Sequence, residues 1–188
     1  MEPNHHCLRL NRLHGFSAVL ALASGLMPVS AEAAVVSTSA QAAAQETIEA
    51  VSRRRRTLVG SSYLRVPAEI QREVEAYAVE QRRAMEAAGG CSHGGGSGIP
   101  SPFERLLLPA GWHLLGEVLA CPAFPGYWTS ERVALEWWRS PQHRRIAYSK
   151  PSASHLACSW VRQGVMGASR ESVLCLVFKA SGGGSGQP

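Results

Sequence analysis

A chain of 188 residues, 45% of them hydrophobic, is long enough for one domain with its own core and does not depend on a metal or disulfides to hold it. Its net charge is +5, and of 19 basic residues only Lys150 and Lys179 are lysine, a skew that reflects base composition of the genome more than a ligand. Aspartate is absent, so every carboxylate side chain is a glutamate and no aspartate can orient a catalytic histidine.

In chain order, residues 1–33 read as a secretory signal peptide. Arg9 and Arg12 form a positive start, residues 15–27 an apolar run too short to span a bilayer, and Ala31-Glu32-Ala33 a small-x-small cleavage site. No later stretch is apolar enough for a membrane helix. The mature chain is expected to be secreted or periplasmic and monomeric. Residues 34–45 read as a flexible leader. Residues 45–59 have helical composition, with Ile48, Val51, Arg55 and Leu58 on one stripe. The run Arg53-Arg54-Arg55-Arg56 reads as a solvated helix face; it has no interleaved aromatics, and nucleic acid is not an expected partner.

Pro67 opens a second helix to about Ala88, with Ile70, Val74, Tyr77, Ala78, Met85 and Ala88 at three- and four-residue spacing. Gly89-Gly90 ends it. The loop that follows, "GGCSHGGGSG", lacks the Lys and Ser/Thr of a phosphate-binding loop. Thr129 or Ser130 caps a third helix through Arg139, which buries Val133, Ala134, Trp137 and Trp138. "HLACSWV" (155–161) and "SVLCLVF" (172–178) read as strands with a turn region between them, and residues 180–188 as a disordered Gly/Ser tail. The expected fold class is α+β. Cys7 leaves with the signal peptide. Cys91, Cys121, Cys158 and Cys175 remain, with no CxxC pair, and read as two disulfides with three possible connectivities.

The segment "EWWRSPQHRR" (136–145) carries the most information. Ser140-Pro141 is a helix start, serine as cap and proline at the first helical position, which puts His143 in the first turn. The positive helix end disfavours imidazolium, so His143 is expected to stay neutral and able to bind a metal or accept a proton. Trp137 and Trp138 anchor the preceding helix and set where this turn points.

These residues resemble a family. "TSERVALEWWRSPQHRRI" is similar to the "W..SP.H" segment of bacterial members of the CAP superfamily, the SCP-like proteins that include cysteine-rich secretory, antigen 5 and pathogenesis-related proteins. "VPAEIQREVEAYAVEQRRAMEAAGGCSHGG" is similar to that family's long second helix and the histidine after it. "GWHLLGEVLA" is similar to its Gly-Glu-Asn segment, and the last two strands to its closing hairpin. The resemblance covers residues 46–179 and implies an α-β-α sandwich with a small antiparallel sheet between helices.

The resemblance also implies a site. His93 and His143 match the family's two histidines, and Glu117, placed in the Gly-Glu turn, matches its first glutamate. Val118 stands where the family has asparagine, and Ser140 stands where many eukaryotic members have the second glutamate; Glu136, one helical turn earlier, is the candidate fourth member. Two histidines and a glutamate suit zinc with an open position. His113 and His155 read as structural, and Gly116 as a point of close backbone approach. The disulfides Cys91–Cys121, flanking His93 and Glu117, and Cys158–Cys175, across the closing hairpin, are the expected pairing.

The implied function is a non-enzymatic binding module for a lipid, sterol, glycan or protein partner, with a divalent-metal site. The alternative is a zinc-dependent hydrolase of ester or peptide bonds. Neither Gly-x-Ser-x-Gly nor His-Glu-x-x-His is present to favour the alternative. N-terminal sequencing of exported protein is expected to read from Ala34; an intact Met1 on membrane-bound material contradicts the signal peptide.

Overall fold

The computed structural model describes residues 38–95, 98, 100–121, 128–165 and 168–181. The expected signal peptide and most of the Gly/Ser tail lie outside them. The elements run α1 (Thr38–Val59), β1 (Leu64–Arg65), α2 (Ala68–Ala88), α3 (Pro102–Arg105), β2 (Trp112–Ala120), α4 (Ser130–Arg139), α5 (Pro141–Ala147), β3 (His155–Val165) and β4 (Ala168–Ala180). The four strands form one sheet in the order β1-β3-β4-β2. Helices cover both faces, giving the expected α+β class and its α-β-α layering. The sheet is mixed, because β1 runs parallel to β3 while the other pairs are antiparallel.

Alternation along the strands assigns side chains to the two layers. In β4, Val173, Cys175 and Val177 join the core under α1, α4 and α5; Leu174, Leu176 and Phe178 join the core under α2. Both sets are 0–1% exposed, so β4 is an internal strand buried on both faces. Each such side chain contributes about 1.5–3 kcal/mol. The two strands of the hairpin outrun the expectation: Val165 pairs with Ala168, so most of the segment read as a turn extends the ladder. Polar residues there are compatible with strand once the partner supplies the backbone bonds.

Two further corrections concern the N-terminal half. Residues 38–45, read as leader, form the first turns of α1, because Ala40 and Ala44 are buried against the sheet and Thr47 receives the indole N–H of Trp160 at 2.9 Å. The arginine run is not a solvated face throughout. Arg55 is fully buried and donates to Ser61 O (2.9 Å), Lys150 O (3.1 Å) and Ala153 O (2.8 Å), with its guanidinium 4.4 Å from the centre of the Tyr63 ring. Among the described residues, three carbonyl oxygens and the Ser61 hydroxyl, and no carboxylate, receive its terminal N–H groups. Arg53 and Arg54 pair with Glu131 of α4, and Arg56 with Ser62.

Both disulfides have the expected pairing. Cys158 and Cys175 face each other across β3 and β4, and Cys91–Cys121 joins the segment after α2 to the end of β2, with Cα atoms 6.1 Å apart. Each closes a loop whose entropy in the unfolded chain accounts for about 2–4 kcal/mol.

Thr129 caps α4 by accepting the Arg132 N–H, and Trp137 on its inner face is 1% exposed, with its indole N–H donating to Leu119 O at 3.3 Å. Trp137→Ala is expected to cost about 3–5 kcal/mol, read as a lower urea midpoint or loss of secreted protein. A mutant with wild-type stability would contradict the anchoring role.

Candidate functional site

The site forms where the two helical layers meet around the edge strand β2. Its centre is Glu117, which the sequence reading placed in a turn and which lies within β2. In the ladder with β4, Leu114 pairs with Phe178 and Gly116 with Val177, so Leu115 is an extra, unpaired residue. Before this bulge, Trp112 and Leu114 face the α2 layer, as even-numbered residues. After it, Leu119 faces α2 and Val118 and Ala120 face the opposite core. Glu117, opposite Leu176, is thereby turned toward α2. Lys150 donates through its ammonium to the Leu115 carbonyl and so satisfies the bulge.

Side chains from α2 and from the segment after it enclose the Glu117 carboxylate, which is 6% exposed. Tyr77 donates its hydroxyl to Oε2 at 3.0 Å, and Gln81 its amide to Oε1 at 3.2 Å. His93 places Nδ1 2.5 Å from Oε1. Tyr77 and Gln81 are one helical turn apart on the buried stripe of α2, each 1% exposed. Sequence reading took Tyr77 as core and did not include Gln81. The available signal was an amide in the apolar stripe between Val74 and Met85, since a buried amide requires partners.

Local backbone brings His93 to this carboxylate. Gly89, at φ 72°, closes α2, with its own N–H and that of Gly90 returning to Glu86 O and Met85 O. Gly94 then passes so close to Tyr77 that a Cβ at position 94 would stand 2.2 Å from the phenol oxygen. Glycine is required there by space. Gly116 has the same role on the other face, where a Cβ would meet Ile146 Cγ2 of α5 at 2.7 Å.

His143 is in the first turn of α5, as expected, with Ser140 at the N-cap position though without a side-chain cap bond. Its ring centre is 6.2 Å from that of His93 and 6.4 Å from that of Trp137. The structure thus gathers His93, Glu117 and His143. Glu136 does not join them. It pairs with Arg139 at 3.5 Å and lines a separate surface cleft with Arg54, Glu131 and Arg132, because one turn of α4 before Ser140 faces outward from Trp137. His155 is structural, its ring 4.6 Å from that of Trp112 and its Nδ1 2.8 Å from Ser154 Oγ; His113 is exposed.

A zinc site with Glu117 as direct ligand does not fit these contacts. Both carboxylate oxygens are engaged by three protein donors. Among the described residues, no group of three or more His, Cys, Asp or Glu side chains has the geometry to hold a metal. With Nδ1 on Glu117, His93 presents Nε2 as the nitrogen able to meet a ligand, in the manner of an imidazole oriented by a carboxylate.

The two imidazoles are pushed in opposite directions. The hydrogen bond to Glu117 raises the His93 pKa, against partial burial, with the carboxylate charge adding to the rise. Burial, then the charge of His93, lowers that of His143. Burial and the Glu117 charge also hold Tyr77 protonated. The neutrality expected for His143 therefore has desolvation as its first cause.

Away from this cluster, a groove of about 300 Å³ runs between α1 and α2 along the outer edge of β3. Ala44, Ile48, Val66 and Leu156 line it together with polar Gln41, Gln45, Arg65 and Glu75, and Gln71, also in the lining, donates to Cys158 O at 2.9 Å.

No protein-family model matches the chain, and no curated protein sequence matches it. Among solved structures, the fold is similar to that of an outer surface protein from Borrelia burgdorferi, with a TM-score of 0.53 and 15% identity over 72% of this chain and 91% of that one. At this identity the likeness is one of fold.

The opposed shifts set the pH dependence. Stability from His93 is full below the unfolded histidine's pKa and is lost as pH rises through the raised folded value; stability from His143 is present above the unfolded value and lost as pH falls through the lowered one. Imidazole proton NMR is expected to show His93 titrating above, and His143 below, a histidine of the unfolded chain. Glu117→Gln is expected to bring the His93 midpoint down. A wild-type His93 midpoint at or below the unfolded reference contradicts the His93–Glu117 bond.

Proposed function

We propose that this protein is an exported, non-enzymatic binding module of the CAP (SCP-like) type. The observation that carries this reading is the closed network around Glu117. Three of the carboxylate's acceptor sites are taken up by Tyr77, Gln81 and His93, so its role in this reading is to hold and orient an imidazole that meets a ligand. The gathering of His93, Glu117 and His143 from three separate segments supports the family resemblance, and two disulfides suit an oxidising compartment. Among the described residues, no helix is long and apolar enough to cross a membrane.

In this reading His93 and His143 are the contact points for a ligand, and zinc is the expected metal. His93 Nε2 and the His143 ring would hold it, with the remaining positions left to water or to the ligand; zinc would supply a Lewis-acidic anchor. The groove between α1 and α2 favours an amphipathic ligand such as a lipid or sterol at a second position, because apolar Ala44, Ile48, Val66 and Leu156 share its lining with Gln41, Gln45, Arg65 and Glu75.

Zinc titration by calorimetry tests the first contact. Binding is expected to weaken as pH falls, since protons compete for the imidazole nitrogens. His93→Ala with His143→Ala is expected to abolish it while leaving the fold intact. Unchanged zinc affinity in that double mutant removes the site, and metal-dependent ester or peptide hydrolysis lost in the same mutant establishes the hydrolase instead.

A further inference from the structure

The two disulfides occupy opposite environments. Cys158 and Cys175 are 0% exposed in the centre of the sheet. Cys91 is exposed, and its partner Cys121 is half-buried with its sulfur 3.8 Å from Met85 Sδ. This outer bridge is also placed on the site: Cys91 is two residues before His93, and Cys121 directly follows the strand that carries Glu117. Residues 91–95 are tied to the domain by the bridge, the His93–Glu117 bond, the His93–His143 ring contact and the close approach of Gly94 to Tyr77, Pro100 and Ser101. These residues include two glycines and lie outside helix and strand. Of these ties one is covalent, and it starts at an exposed residue, Cys91.

We propose that Cys91–Cys121 is a redox-cleavable clasp that keeps His93 on Glu117, and that a dithiol opens it while Cys158–Cys175 stays closed. A thiolate of the dithiol attacks the sulfur of Cys91, the more exposed residue of the pair, the Cys91–Cys121 bond breaks, and Cys121 leaves as a thiolate that takes up a proton. The second thiol of the dithiol then attacks the mixed disulfide. Cys91 is released as a thiol, and the dithiol becomes a cyclic disulfide carrying away the two-electron oxidation. Residues 91–95 lose their covalent anchor, and His93 leaves the carboxylate. As a regulator of ligand contact, the clasp rests on the reading of His93 and His143 as a binding site; as a selective redox device it does not.

Native oxidised protein is treated with graded dithiothreitol, alkylated with iodoacetamide, freed of reductant and mapped by mass spectrometry. The expected result is joint alkylation of Cys91 and Cys121 at concentrations that leave Cys158–Cys175 bridged and the far-ultraviolet circular dichroism unchanged. Amide hydrogen exchange in residues 91–95 is expected to rise about tenfold or more, while that of β3 and β4 stays constant. Simultaneous cutting of both bridges, resistance of Cys91–Cys121 until the domain unfolds, or unchanged exchange at residues 91–95 after cutting would each overturn the clasp. Zinc affinity of the alkylated protein separates the two ideas. It is expected to fall at least tenfold if His93 is a ligand. Equal zinc affinity before and after a confirmed opening overturns the control of binding and leaves the clasp as a conformational device. Absence of zinc binding in the oxidised protein counts against the site and not against the clasp.

Discussion

Side chains alternate along a strand, so the extra residue that β2 inserts at Leu115 reverses the face of every residue after it. In an unbroken ladder, Glu117 would stand opposite Cys175, on the face of the core beneath α1 and α4. The bulge sets it opposite Leu176, beneath α2, where Tyr77 and Gln81 supply a hydroxyl and an amide. The carboxylate can then be buried, because three hydrogen bonds replace the water it loses. Lys150 keeps the bulge by taking the Leu115 carbonyl, and Gly116, the first residue after it, leaves room for Ile146. The site thus depends on a one-residue irregularity and on the few groups that stabilise it.

The surrounding layers bring His143 to this point from the opposite side. β2 is an edge strand, and α4 reaches its outer edge through the indole of Trp137 on Leu119 O. α5 follows directly from α4, with Ser140 ending one helix and beginning the other, so the tryptophan that fixes α4 also sets where the first turn of α5 lies. His93 and His143 come from different layers and meet around that edge. Arg55 has a comparable structural role at the far edge, where its guanidinium joins the end of α1 to the segments before β1 and β3. Carbonyl groups at chain turns and the Ser61 hydroxyl receive its terminal N–H groups.

Much of this was legible from residue order. The stripe of α2, the Thr129 cap, the Ser140-Pro141 start and the two terminal strands follow from local periodicity and capping, which involve neighbours within a few residues. The same locality explains the errors. Residues 38–45 have no strong amphipathic pattern, and they are helical because Ala40 and Ala44 meet the sheet. The strands of the hairpin lengthen over residues 162–165 and 168–171 because each supplies the other's backbone partners. Glu136 and Arg55 were assigned from their helical neighbours, yet their surroundings are set by other elements: Glu136 by the outward face of α4, and Arg55 by the turns at Ser61 and Ala153.

The sequence by itself determined which residue types were available: two histidines and a glutamate in separate segments, glycines beside His93 and Glu117, four cysteines for two bridges, and tryptophans to anchor a helix. It also determined where most helices begin and end, since caps, prolines and glycines act on adjacent backbone. Only the tertiary structure decided what these residues do together. Whether Glu117 faces one layer or the other depends on strand register with β4, far later in the chain. That it orients His93 depends on Tyr77 and Gln81, from another layer, meeting the same carboxylate. Both are matters of contact between distant segments, and local patterns of charge and hydrophobicity do not encode them.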